Sequence, residues 1–172
     1  MISDNITAKA DLKDMYENKF EICSPNTIFP SKSWFSSSVV ISAETLFVVM
    51  KFGAALGTGS TAMQITPQTI NLGSGRTAVS LGLGQSHSCA ILDDSSLKCW
   101  GYGNVGQLGT GSTTNQYTPQ PIFLGNSRSA KYLDAGNSHT CVILDDNSTK
   151  CWGQGYYGAV GTGTSSYSNF PS

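Results

Sequence analysis

Histidines and regularly spaced cysteines are the residues of this 172-residue chain with the most chemistry to offer. His87 and Cys89 stand two apart, hence on one face if that stretch is a strand, and Cys99 follows Cys89 by ten residues. The trio returns as His139, Cys141 and Cys151. Cys89 and Cys99 flank Asp93-Asp94-Ser95 symmetrically, five residues either side of Asp94. In an antiparallel hairpin with a three-residue loop they would lie opposite each other. Opposed Cβ atoms stand about 4.5–5.5 Å apart, close to disulfide range. Cys141 and Cys151 repeat the arrangement about Asp146. Two other readings stay open: buried free thiols, and a metal held by His87, Cys89 and Cys99. Against the metal stands the lack of a short Cys-x-x-Cys spacing. His87 and His139 also fit a structural role as hydrogen-bonding groups. Cys23 has no evident partner.

Other features imitate chemistry. Gly101-x-Gly103-x-x-Gly106 and Gly153-x-Gly155-x-x-Gly158 match the dinucleotide fingerprint. That motif needs a helix after it and an acidic residue about 20 positions on. Gln107-Leu108-Gly109-Thr110-Gly111 reads instead as another turn, so no cofactor is expected. Asp93-Asp94 and Asp145-Asp146 could suggest calcium or an acid–base pair. Neighbouring carboxylates on a solvated hairpin tip point apart, with nothing to raise a pKa, and turn formation explains them. Trp100 and Trp152 read as core anchors rather than stacking platforms. No Gly-x-Ser-x-Gly elbow occurs, and no nucleophile is coupled to either histidine. Asn147-Ser148-Thr149 is a glycosylation acceptor on an expected turn, usable only in a secreted chain.

The elements that must position these residues recur. Leu56-Gly57-Thr58-Gly59 returns as Leu108-Gly109-Thr110-Gly111 and as Val160-Gly161-Thr162-Gly163, each step 52 residues. Thr66-Pro67-Gln68 returns as Thr118-Pro119-Gln120, and Pro171 falls one period on. Residues 78–111 and 130–163 align without a gap at 20 identities in 34 positions. Within a unit, Thr-Pro-Gln opens a short strand carrying alternating apolar residues, Ile70 and Leu72 or Ile122 and Leu124. Leu81 to Leu92 is an extended run broken at Gly84, and Ser96 to Trp100 returns as its antiparallel partner. One such sheet cannot bury both faces alone, and stacking sheets around an axis, the β-propeller, solves that.

His87-Ser88-Cys89 and Trp100-Gly101-Tyr102-Gly103-Asn104-Val105-Gly106-Gln107-Leu108-Gly109, with their second copies at His139-Thr140-Cys141 and Trp152-Gly153, resemble the repeat of the regulator-of-chromosome-condensation family. The family pattern often has Asn where this chain has Gly103 and Gly155, and its intracellular members lack regular cysteine pairs. Similar cysteine-containing versions occur in extracellular-looking relatives. The resemblance implies a seven-bladed ring needing some 350 residues at about 50 per blade.

The expected fold is therefore all-β: two to three blades of a normally seven-bladed propeller. Residues 1–49 form a leading segment with no legible fold beyond a short amphipathic helix over 6–20, suggested by Leu12, Met15, Tyr16 and Phe20. Residues 50–172 hold the repeats, with 50–77 partial, 78–129 whole and 130–172 partial. Subtracting one period puts Phe35, Ser37 and Val48 where His87, Cys89 and Trp100 stand, so the preceding copy is decayed or was never there. We expect an incomplete product of a longer gene. The alternative is a short protein that closes its ring by self-association.

Charged residues are only 12% of the chain and the net charge is −1, which leaves no electrostatic footprint for nucleic acid or anionic membrane. Val39 to Val49 is too short to span a membrane and contains Glu44. No basic start followed by an apolar core is legible as a secretory signal. Hairpin disulfides would place the mature protein outside the cell or in a lumen, the alternative being the cytoplasm. The expected function is a non-catalytic scaffold for an unknown protein partner. Its rivals are nucleotide exchange on a small GTPase, implied by the resemblance alone, and a secreted carbohydrate-binding surface. Site residues are the cysteine pairs and the repeat anchors His87, Trp100, Gly101, Gly109, His139, Trp152, Gly153 and Gly161.

Overall fold

The 52-residue period becomes a recurring antiparallel sheet. A computed structural model describes residues 38–42, 45–49, 56–62, 68–163 and 165–172. All of them lie within one unit, Trp34–Ser172. The helix expected over 6–20, and Cys23, lie outside the described residues. The strands are β1 (Ser38–Ser42), β2 (Thr45–Val49), β3 (Gln68–Thr69), β4 (Ala78–Leu83), β5 (His87–Leu92), β6 (Leu97–Gly101), β7 (Gln116–Pro121), β8 (Ala130–Ala135), β9 (His139–Leu144) and β10 (Thr149–Gly153). They form three sheets ordered β1-β2-β3, β4-β5-β6-β7 and β10-β9-β8. The described residues are all-β apart from short 3₁₀ turns, and the sheets are blades of a propeller.

Two expectations about the blade change. The Thr-Pro-Gln strand closes the sheet of the hairpin before it: β7 pairs with β6, and β3 with β2. The strand also ends at Pro121 rather than running on through Ile122 and Leu124. Pro119 and Pro121 have no N–H to donate, so β7 can serve only as an edge strand. Its ladder is thin, with Lys98 opposite Pro121, Cys99 opposite Gln120, and a register shift before Gly101 meets Gln116. Ile122 and Leu124 follow the strand and are buried. Ile122 N–H still donates to the Leu97 carbonyl at 2.9 Å.

The leading segment contains a hairpin that the sequence did not reveal. β2 spans 45–49, one period before β6 at 97–101, and pairs with β1.

Core residues obey the same period. One cluster joins Leu56, Ile70 and Leu72 to Ala90, Leu92 and Trp100. The next joins Leu108, Ile122 and Leu124 to Val142, Leu144 and Trp152, and adds Cys89, Ile91, Leu97 and Cys99. Each core is thus a junction, built from the trailing loop of one unit and the Trp-bearing face of the next. The alternation of β5 explains it: Ala90 and Leu92 face backward, while Cys89 and Ile91 face forward into the following blade.

Candidate protein-binding surface

The cysteines, histidines and tryptophans sit at these junctions. Cys89 lies opposite Cys99 and Cys141 opposite Cys151 in the strand register, each pair with Cα atoms 4.1 Å apart, and each pair is joined as a disulfide. The sulfurs a metal would need at His87 are therefore bonded to each other. Cys89 and Cys99 are fully buried between blades, whereas Cys141 and Cys151 are partly exposed.

His87, Thr140 and Trp152 form a buried polar relay across the second junction. The Thr140 hydroxyl donates to the Gln107 carbonyl at 2.8 Å, and Trp152 Nε1–H donates to the same oxygen at 3.0 Å. His87 Nε2 lies 2.9 Å from Thr140 Oγ1. Since the only proton of Thr140 is given to Gln107, His87 Nε2 must carry the proton of that bond. Trp100 and Trp152 have no exposed surface. Neither can stack on a sugar, which removes the side chain on which the carbohydrate reading rested.

The glycine of each Leu-Gly-Thr-Gly stretch has a clear cause. Gly57 and Gly109 sit at φ 75° and 74°, and a Cβ on either would stand 2.6 Å from the indole Nε1 of Trp100 or Trp152. Both the conformation and the close approach demand glycine. Gly161, one period on at φ 71°, has nothing within 4 Å. Gly101 and Gly153 close β6 and β10 at φ 110° and 103°. Gly103 and Gly155, where the family pattern has Asn, lie against the carbonyls of Thr114 and Ser166, with no room for a side chain. His139 is partly buried at the start of β9.

The aspartate pairs hold the hairpin tips. Leu92 and Ser96 bracket a three-residue loop through Leu92 N–H to Ser96 O at 2.9 Å, with Ser95 left-handed at φ 62°. The Ser96 hydroxyl and backbone N–H both donate to Asp94, at 2.6 and 3.0 Å. Those bonds, then Arg76, hold the Asp94 carboxyl below its ordinary value. Ser148 and Arg128 do the same for Asp146. Arg76 pairs with Asp93 and Asp94 at 3.1 and 3.2 Å, and Arg128 with Asp145 and Asp146 at 3.6 and 3.2 Å. Neither arginine was singled out from the sequence. Their signal was there, since both stand 17 residues before the first aspartate of a repeated pair.

Family comparison agrees with this geometry. The family model for the Regulator of chromosome condensation (RCC1) repeat matches residues 97–143, and a second model of the same description matches 78–107 and 131–159. This is an RCC1-repeat protein. The ultraviolet-B receptor UVR8 of Arabidopsis thaliana is 32% identical to it over 108 residues, covering 63% of this chain and 24% of the receptor. The human E3 ubiquitin-protein ligase HERC2 is 31% identical over 121 residues, 66% of this chain and 2% of the ligase. The RCC1-repeat chain thus spans a quarter or less of these relatives. Prp20p from Saccharomyces cerevisiae, studied for its binding to Gsp1p and histones, superimposes with a TM-score of 0.63 at 18% identity, over 78% of this chain and 37% of that one. Human WBSCR16 superimposes with a TM-score of 0.66 at 19% identity, over 79% and 36%. At such identities the structures speak for the fold alone.

One surface of the RCC1-repeat chain is chemically distinct. The loop after β10 carries Tyr156 and Tyr157 in a short 3₁₀ turn, Tyr156–Gly158. The rings of Tyr156 and Tyr167 are 5.9 Å apart and tilted by 54°, with their phenol oxygens 3.2 Å apart. Tyr157 is fully exposed and held left-handed at φ 57°. One period earlier the same places hold Asn104, Val105 and Asn115, so the repeat itself does not require tyrosines there.

Proposed function

We propose that the chain is a non-catalytic protein-interaction scaffold and that the Tyr156–Tyr157–Tyr167 surface is where it meets its partner. The observation that carries this reading is Tyr157: a large aromatic, wholly in water, in a backbone conformation that costs about 1–2 kcal/mol for a side chain of its kind. Buried aromatic anchors dominate protein interfaces, and a loop on a rigid sheet presents them with little to reorder on binding. A photo-crosslinking amino acid at position 157, introduced in the organism of origin, tests the idea. A discrete adduct that disappears on Tyr156→Ala/Tyr167→Ala, with unchanged thermal unfolding, is the expected result. An adduct pattern indifferent to those changes would count against it.

The hairpin disulfides support an extracellular or lumenal location. Exchange on a small GTPase is a second reading, favoured by the fold shared with Prp20p and its binding to Gsp1p. Fold analogy alone does not carry an activity. Acceleration of nucleotide release from a small GTPase by the purified chain would establish it over the scaffold reading.

A further inference from the structure

The first junction carries an open depression of about 440 Å³ whose lining includes Thr58, Lys98 and Pro119, partly buried, and Thr69, Asn71 and Thr118, exposed. We propose that this depression is a binding site for a carboxylate-bearing ligand, with Lys98 as its cation. The proposal is independent of the tyrosine surface.

The argument begins with which hydrogen-bonding capacity is already used. Asn71 Oδ1 accepts from the Gly73 N–H at 2.9 Å, which leaves the Asn71 amide N–H groups to donate. Thr118 Oγ1 accepts from Gln120 Nε2 at 3.0 Å and keeps its own proton. Thr58 Oγ1 accepts from the Ser60 N–H at 3.4 Å and likewise keeps its proton. Lys98 Nζ donates once, to the Leu72 carbonyl at 2.8 Å, and an ammonium has three protons. Among the described residues the ion pairs belong to Arg76 and Arg128, and no carboxylate neutralises Lys98. The Lys98 ammonium, the Asn71 amide and the Thr58 and Thr118 hydroxyls all keep protons to donate and no carboxylate lines the site, so the matching ligand is rich in acceptors and negative. One cation with three neutral donors suits a singly charged carboxylate better than a phosphate dianion, which is usually met by forked arginines or several positive groups.

The repeat supplies an internal comparison. One period on, Lys150 keeps the place of Lys98, but Pro121, Phe123 and Phe170 replace Thr69, Asn71 and Thr118. Lys150 Nζ turns to the Pro171 carbonyl at 3.3 Å. Phe123 and Phe170 are largely exposed there, so the fold tolerates apolar side chains at those positions and does not require the donors of the first junction. The volume falls within the range of small-molecule sites, roughly 300–1,000 Å³, so the ligand has an organic body behind its carboxylate. Such a group could come from a free dicarboxylic acid or from a glutamate side chain of a bound polypeptide.

The test is a titration of the ¹⁵N-labelled full chain, followed by its amide resonances. One arm adds sodium glutarate, the other a glutamate peptide with blocked ends, each against sodium chloride at equal ionic strength. Saturable shifts at Thr58, Gly73 and Thr118 are expected in at least one arm, and the arm that responds identifies the source. Lys98→Met should weaken that binding by about tenfold or more, the worth of one charge-assisted hydrogen bond. Lys98→Arg should retain it, and Lys150→Met should leave it unchanged. Asn71→Phe/Thr118→Phe, which installs the side chains the second junction already accommodates, should abolish binding while thermal unfolding stays put. Absence of saturation in both arms, or binding by Lys98→Met or by the double phenylalanine variant as tight as that of the unsubstituted chain, would overturn the proposal.

Discussion

Gly109 and Gly161 occupy the same place in successive repeats and share a left-handed backbone, yet only Gly109 faces an indole. Alanine at either position should cost about 1–2 kcal/mol for the backbone. Gly109→Ala must also displace the buried Trp152, which adds about 1–3 kcal/mol of overpacking. Urea midpoints of the two variants, compared at equal slope, measure that difference. The hairpin tips yield a pH prediction. The Asp94 carboxyl is held below its ordinary 3.8 by Ser96 first and Arg76 afterwards. As pH falls, the unfolded chain takes up this proton first. The contribution is therefore complete above the unfolded carboxylate value and is lost as pH drops through the folded one. Ser96→Ala should move the Asp94 titration upward in carbon-detected NMR and blunt the acid end of the stability profile. Asp93-Asp94 and Asp145-Asp146 were legible as turns because turn chemistry is local. The arginines that face them were harder to read, because an ion pair across 17 residues shows only as a spacing shared by the two repeats and not as a motif within either segment.

The hairpin is the element on which most of the sequence reading rests. Cysteines placed symmetrically about an Asp-Asp turn have a single antiparallel register that brings them together, and β5–β6 and β9–β10 adopt it. The two crosslinks differ in surroundings, because β5–β6 is covered by the next blade while the same face of β9–β10 is partly open. Thiol–disulfide exchange needs access to sulfur. In the 172-residue chain by itself, under limiting dithiothreitol, the 141–151 pair should therefore open well before the 89–99 pair, as read by alkylation and peptide mass spectrometry. Simultaneous opening would mean that the second junction does not shield Cys89. Strand edges were harder to foresee than hairpins. Alternation of Ile122 and Leu124 suggested that β7 ran through them, but the paired prolines end its ladder and the leucine and isoleucine pack as a loop. The β1–β2 hairpin was not legible because Phe35, Ser37 and Val48 stand where His87, Cys89 and Trp100 do one period on, leaving only a strand-length apolar run.

At the scale of the molecule, stability resides in junctions rather than in blades. Leu108 belongs to the loop of one unit and is buried against Val142, Leu144 and Trp152 of the next. Leu108→Ala should cost about 2–5 kcal/mol. Hydrogen exchange should show protection lost on both sides, in β5–β6 and in β9–β10, since a repeat array couples neighbours through their interface. Loss confined to one hairpin would mean that the blades fold independently. The period made this architecture readable, because a residue such as Trp100 recurs at the same depth in each copy. The depression around Lys98 was not readable, for it draws on residues from 57 to 119 that meet only when two units are stacked. The same is true of the relay from His87 through Thr140 to Gln107. The central claim, an oxidised propeller scaffold with one fixed register per blade, meets its most direct test in non-reducing peptide mapping of the protein from its native source. The account predicts Cys89 linked to Cys99 and Cys141 linked to Cys151. Links that cross between hairpins would contradict the register, and four free thiols would contradict the oxidising compartment.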